Sequence, residues 1–266
     1  MEVPMAENEE IEYDDTLVAM LEIIWGKGFL SPGGAEEVAL LLAEEDISGS
    51  KVIDIGCGIG GVDVLLISEH GAANVIGVDI EQPVLDRATA RAEAEGLSDR
   101  LTYKLVAPGP LPFSPESCEV VFSKDAMIHI PDKEALFADV FRLLRPGGLF
   151  IASDWMRRDD NPPTPEMEHY LEVEGLNFGM ASPDRYAEAL EKAGFIDIRL
   201  RDRNSWYSDL SRREYEQMKG PLYPRMVELL GPANADRYVE VWRAMNLVIE
   251  SGELRPGHLR AIKPSG

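Results

Sequence analysis

The chain has 266 residues, 45% of them apolar, enough to bury one substantial core. Its 48 acids against 26 bases give a formal charge of −22, a surface that repels phosphate backbones and argues against nucleic acid or an anionic membrane as a partner. Only two cysteines occur, Cys57 and Cys118, so neither a disulfide framework nor a cysteine-rich metal site is expected. With no apolar run of membrane length and no signal-peptide pattern, the expected location is the cytoplasm.

Residues 1–15 carry seven acids and no base and are expected to be loosely held. Apolar positions at Leu17, Val18, Leu21, Ile24 and Trp25 predict an amphipathic helix. The turn-rich stretch 26–34, GKGFLSPGG, leads into a second helix over 35–45. From Lys51 strands and helices alternate. Strands are predicted at 51–55, 74–79, 101–106, 119–124 and 148–153, and helices at 61–69, 83–95 and 132–144, with a tight turn RPGG at 145–148. Such alternation implies an α/β fold with parallel strands and right-handed crossovers, whose ligands lie beyond the carboxyl ends of the strands. Gly56, Asp79, Asp125 and Asp154 all fall at those ends. After Asp154 the alternation breaks, and 155–180 is rich in proline, acid and aromatic residues. A helix over 182–195 begins at the N-cap Ser182 and stops before Gly194. A strand follows at 196–201, then a long helical, aromatic stretch, then a last strand at 258–264.

The stretch 51–61, KVIDIGCGIGG, holds the strongest chemical signal. A β-branched run ends in Asp54, and Gly56, Gly58, Gly60 and Gly61 precede a second apolar run of helical length. A glycine-rich turn alone can simply join a strand to a helix. Here Asp79 ends the next strand, twenty-five positions past Asp54, where an acid can accept ribose hydroxyls, and no phosphate-cradle lysine follows the glycines. The stretch resembles motif I of the class I methyltransferases that use S-adenosylmethionine, with Asp79 as the acid of their second motif. That resemblance implies a Rossmann-like sheet, mostly parallel with an antiparallel last strand, and helical lid insertions. It also implies Asp54, Gly56, Gly58, Asp79 and its neighbour Ile80 as cofactor contacts.

The block SKDAMIHIPDK, 123–133, ends the fourth strand and sets Asp125 and His129 four apart, on one face of a helical turn. An amine with a pKa of about 10 is mostly protonated at neutral pH, so its methylation needs a route for a proton. The blocks IWGKGFLSPGG, VIDIGCGIGG, SKDAMIHIPDK and LRPGGLFIASDW, in this order, resemble the phosphoethanolamine N-methyltransferases, in their short single-domain form. In that family a lid tyrosine and the histidine of a D-A-x-x-H motif form a dyad that closes the site and assists proton loss. The matching residues are Tyr13 and His129, with Asp125 as the acid near the amine and Ser31, beside Leu30, as a lid residue near the cofactor. The resemblance further implies Ser123, Val106 and Ala107 as cofactor contacts, the last two because the family's adenine-facing acid is absent from LVAPGPLPF.

One domain is expected over 1–266, with N-terminal lid helices over 1–45, a cofactor-binding core over 46–154, and a substrate lid plus the last strands over 155–266. The family grips a phosphate through aromatic and basic residues. Trp155, Leu176, Phe178 and Met245 stand there instead, and Glu12 replaces a glutamine; Glu12, Trp155, Phe178 and Met245 are the expected acceptor contacts. Arg243 or Arg225 would restore a phosphate grip only under a shifted alignment. Expected, then, is a methyltransferase acting on a small-molecule amine. The alternatives are methylation of a small thioether, which needs no base, and a cofactor-binding module without turnover. The sequence leaves the oligomeric state, monomer or dimer, open.

Overall fold

The structure, a computed structural model, describes residues 13–175 and 178–266. Its strands are β1 (Lys51–Ile55), β2 (Asn74–Asp79), β3 (Leu101–Leu105), β4 (Cys118–Lys124), β5 (Leu144–Arg157), β6 (Ile196–Asp202) and β7 (Leu254–Ile262), hydrogen-bonded in the order β3-β2-β1-β4-β5-β7-β6. The first five pair in parallel, and β7 runs antiparallel between β5 and β6. Strands β1 and β4 are buried almost throughout, because helices cover both faces of a parallel sheet and leave no position for a polar alternation.

Successive residues still divide between the two faces. Ile53, Val121 and Phe150 join Phe137, Tyr186 and Leu190 in one core, whereas Val52, Val120, Phe122 and Ile151 join Val38, Leu66 and Ile67 in the other. The helices that cover these faces and the sheet's end are α1 (Asp15–Trp25), α2 (Gly34–Leu41), α3 (Gly61–Ser68), α4 (Gln82–Ala94), α5 (Lys133–Leu143), α6 (Pro165–Glu174), α7 (Pro183–Ala193), α8 (Asn204–Met218), α9 (Tyr223–Leu230) and α10 (Pro232–Glu250). Helix α1 starts where the Asp14 side chain accepts the Thr16 and Leu17 amides. Helix α7 runs from the Ser182 cap to Gly194, as its sequence predicts. A third core, built on Met20, Tyr170, Tyr207, Trp242 and Val248, joins α1, α6, α8 and α10.

Three boundaries differ from the sequence reading. Helix α2 ends at Leu41, not at 45. Strand β5 starts at Leu144, ahead of the RPGG residues, and continues past Asp154 to Arg157, with Trp155 opposite Pro256; β7 accordingly begins at Leu254. The antiparallel ladder satisfies backbone groups there, and a buried Arg157–Glu253 ion pair at 3.3 Å accommodates the polar residues that had suggested a loop. Helix α2 is anchored by a buried cluster in which Glu37 accepts both nitrogens of Arg203, at 3.0 and 2.6 Å, and meets His258 Nε2 at 2.6 Å. Among the described residues no helix is long and apolar enough to cross a membrane.

Candidate functional site

The glycine turn is shaped by its own hydrogen bonds. Gly56 and Cys57 donate to the Val78 carbonyl, and Gly58 donates to Asp79 Oδ2 at 3.0 Å, which ties the end of β1 to the end of β2. Gly56 has φ +72°, and a Cβ there would lie 2.2 Å from the Ala126 Cβ, so SKDAM packs directly onto the turn. Gly61 lies equally close to Gly28: a Cβ on Gly61 would meet the Gly28 carbonyl oxygen at 2.1 Å. The segment before α2 is thus pressed onto the start of α3. Glu22 reinforces the contact by accepting Gly28 N at 2.7 Å and Arg91 at 3.0 Å.

Under that segment lies a cavity of about 40 Å³ lined by Leu30, Ser31, Asp54, Gly56, Gly58 and Lys124. Lys124, nearly buried, donates to Ser31 Oγ at 2.7 Å, the Pro32 carbonyl at 2.9 Å and Asp125 Oδ2 at 2.7 Å. It joins the N-terminal segment to the acid at the end of β4. Asp54 Oδ1 and both carboxyl oxygens of Asp63 are buried without a hydrogen-bond donor. The two carboxyls face each other, so that a single shared proton accounts for one oxygen of each, and the Tyr103 hydroxyl, itself buried without a partner, lies beside Asp63 to donate to the other. Desolvation, then the neighbouring charge of Asp63, pushes Asp54 well above the carboxylate range; desolvation raises Asp63 to about 6.

Beside it opens a cavity of about 1310 Å³. Tyr13, Leu30, Ser31, Ile80, Val106, Ala107, Asp125, His129, Trp155, Phe178 and Met245, all read from the sequence as site residues, line it. His129 stacks against Phe178 with ring centroids 5.5 Å apart. Asp125 adopts φ +57°, and its two oxygens go to Lys124 and, at 3.1 Å, Ser153 Oγ. The turn carrying His129 is braced from below. Lys133 donates to the Met127 and Ile130 carbonyls, and Asp154 accepts Ile128 N and the Tyr186 hydroxyl. Burial raises Asp154 to about 7 and lowers Lys133 to about 8.

Two expected contacts stand elsewhere. Asp79, half-buried, is not among the residues that line the cavity, and it holds the turn: Oδ2 accepts Gly58 N, and Oδ1 accepts Ile80 N at 2.8 Å and Glu81 N at 3.1 Å. Ser123 is fully buried, its hydroxyl donating to the Ile55 carbonyl at 2.8 Å within the sheet. Glu12 and Leu176 lie outside the described residues. The carboxylate that reaches the cavity beyond β2 is Glu81, which also accepts Tyr13 N at 3.2 Å. Arg243 and Arg225 do not line the cavity; they pair with Glu240 and Glu228 on the surface. Arg237 does line it, with its guanidinium on the Val173 and Glu174 carbonyls. Sequence reasoning missed Lys124, Glu81, Glu174 and Arg237, and placed Trp242 only within the aromatic lid. Of those missed, only Lys124, a lone cation at the end of an apolar strand, carried a signal.

S-adenosylmethionine fits these residues. The glycine turn leaves an approach that side chains would close. Lys124, its N–H groups already on Ser31, Pro32 and Asp125, lends positive charge beside an amino-acid end, Glu81 offers a carboxylate to ribose hydroxyls, and Ile80, Val106 and Ala107 offer apolar surface to a base. Among the described residues no group of His, Cys, Asp or Glu side chains is arranged to hold a metal.

Residues 52–148 match the family described as a methyltransferase domain. With the sheet order and the glycine turn, this match over about a third of the chain supports a class I methyltransferase of the S-adenosylmethionine-dependent type. Within that class it resembles the phosphoethanolamine N-methyltransferases. Phosphoethanolamine N-methyltransferase 1 of Arabidopsis thaliana is 30% identical over 79% of this chain and 42% of its own length. A solved phosphoethanolamine N-methyltransferase 2 of Haemonchus contortus, in complex with phosphomonomethylethanolamine and S-adenosylhomocysteine, superposes with a TM-score of 0.86 at 26% identity, over 96% of this chain and 59% of that one. Sterol 24-C-methyltransferase of Pneumocystis carinii is 34% identical over 60% of this chain and 45% of its own length. The chain spans about half the length of the curated relatives it matches.

Proposed function

We propose that this chain transfers a methyl group to the nitrogen of a small amine that carries no phosphate. The charge of the large cavity carries this reading. Among the described residues Asp14, Glu81, Asp125 and Glu174 line it, Asp125 paired with Lys124 and Glu174 raised by burial to about 7, against the Arg237 guanidinium, already engaged by two carbonyls. A wall of that sign attracts an ammonium and repels a phosphate.

S-adenosylmethionine, when bound, supplies a methyl on a sulfonium, open to in-line displacement by a lone pair. The chain's own residues supply position and a path for the proton that the amine must lose. Asp125, fixed by Lys124 and Ser153, presents its carboxylate to the ammonium form of the acceptor. His129 takes the proton, and Tyr13, which lines the same cavity, is its proposed partner. The same proposal treats the N-terminal helices up to residue 45 and α6 with α8 to α10 as covers over a core at 46–154.

The test has two steps. Calorimetry measures S-adenosylhomocysteine binding, and a panel of acceptors is then read out by S-adenosylhomocysteine production. Turnover of unphosphorylated amines above phosphoethanolamine is expected. A strong preference for phosphoethanolamine or its methylated forms would overturn the acceptor assignment, and no cofactor binding would overturn the whole reading.

A further inference from the structure

At one wall of the large cavity, aromatic rings replace hydrogen-bonding groups. Trp25 and Trp242 lie with ring centroids 5.7 Å apart at 42°, and Trp155 meets Tyr207 edge-on at 4.7 Å; all four line the cavity. Their polar atoms have largely been used up from behind. Glu214, itself buried, accepts Trp25 Nε1 at 2.9 Å on one oxygen, and Trp242 Nε1 at 3.0 Å with the Tyr207 hydroxyl at 3.4 Å on the other.

This arrangement has two effects. Both indole N–H groups point at Glu214, so these two rings have no N–H left to offer a phosphate or carboxylate in the cavity. Hydrogen bonding to a carboxylate also draws electron density into each donor ring, and a ring so polarised attracts a cation more strongly.

We propose that Trp25, Trp155 and Trp242, set by Glu214 and backed by the fully buried Tyr207, form an aromatic box for a methylated ammonium group, so that the acceptor is an amine already bearing N-methyl groups. The inference rests on the amine reading above and narrows its substrate class. A primary ammonium needs hydrogen-bond acceptors on every N–H, which the box does not provide. A trimethylammonium group has no N–H and spreads its charge over apolar methyls, which match the ring surfaces. Glu214 is a positioning residue: it touches the rings, and the rings touch the ligand.

The experiment titrates the S-adenosylhomocysteine complex with choline and with 3,3-dimethylbutan-1-ol, its neutral isostere of the same shape. Choline should bind about ten-fold tighter, the size expected of one or two desolvated cation–π contacts. Trp242→Leu should bring the two ligands to within about two-fold of each other, and Glu214→Gln, which keeps an acceptor but removes the charge, should fall between. Thermal unfolding and S-adenosylhomocysteine affinity identify variants that remain folded; Trp25→Leu serves if Trp242→Leu does not. Equal binding of choline and its isostere by the wild type overturns the box, as does an undiminished preference in the folded tryptophan variant. Heat, not turnover, is measured, so a choline preference without methylation of any amine would support the box while removing the proposed reaction.

Discussion

Replacing Asp63 by asparagine should stabilise the protein at alkaline pH and cease to do so in acid. Asp63 is fully buried on α3, opposite Asp54, and neither carboxyl has a basic partner across the shared contact. Desolvation raises Asp63 from 3.8 to about 6, a little over two units. Each unit corresponds to about 1.4 kcal/mol, so ionising Asp63 in the folded state costs on the order of 3 kcal/mol relative to the unfolded chain. The folded protein holds a proton between about pH 4 and 6 that the unfolded chain releases, so stability falls as pH rises through that window. Asparagine occupies the same volume, carries no charge and donates an N–H to Asp54. Urea unfolding at pH 8 should therefore show Asp63→Asn more stable than wild type by up to about 3 kcal/mol, a gap that shrinks towards zero only as the pH falls below 3.8. A variant no more stable at pH 8, or a gap independent of pH, would refute the shared-proton account of these two acids.

His129→Ala should lower kcat by about 10²- to 10⁴-fold with S-adenosylhomocysteine affinity nearly unchanged. Tyr13→Phe should do similarly, and the double variant should be little worse than either, as rapid-quench kinetics would show. Full activity in His129→Ala would instead favour a thioether acceptor, which sheds no proton. Gly56→Ala, forced into φ +72° with its Cβ against Ala126, should lose about 1 to 3 kcal/mol of stability and more than ten-fold in cofactor affinity, both readable by calorimetry. Glu37→Gln should cost about 3 kcal/mol at pH 7 by stranding buried Arg203. The hydrogen bonds and charges of His258 and Arg203 hold Glu37 below 4.5 despite its burial, so that difference should fade as pH drops below 4.5.

The sheet was legible because parallel strands advertise themselves as apolar runs and their turns as glycines. Gly56, Gly58, Asp125 and His129 were legible because each sits in a run of residues that marks the end of β1 or β4. Asp79 was found at its strand end, but its hold on the turn itself was not foreseen. Its oxygens are closer to the amides of Gly58, Ile80 and Glu81 than spacing alone can reveal, and Glu81 reaches the cavity in its place. The pairing of Ser123 with Ile55, which its place in a motif does not reveal, sends its hydroxyl to the Ile55 carbonyl. Glu214 was beyond reach, since its partners Trp25 and Trp242 lie 189 and 28 positions away and a lone acid in an amphipathic helix reads as solvated. Arg237 likewise meets Val173 and Glu174 only once α6 and α10 are packed.

The Glu37 cluster also sets the order in which the chain can assemble. Its partners Arg203 and His258 lie 166 and 221 positions further on, so α2 has nowhere to bury its acid until β7 has inserted between β5 and β6. Contacts of such separation form late, after the loops they close have been drawn together by shorter-range pairings. The strands β1 to β4 should acquire hydrogen-exchange protection early in refolding. Helix α2, though it precedes all of them in the chain, should be among the last elements protected, and pulse labelling during refolding would reveal that inversion.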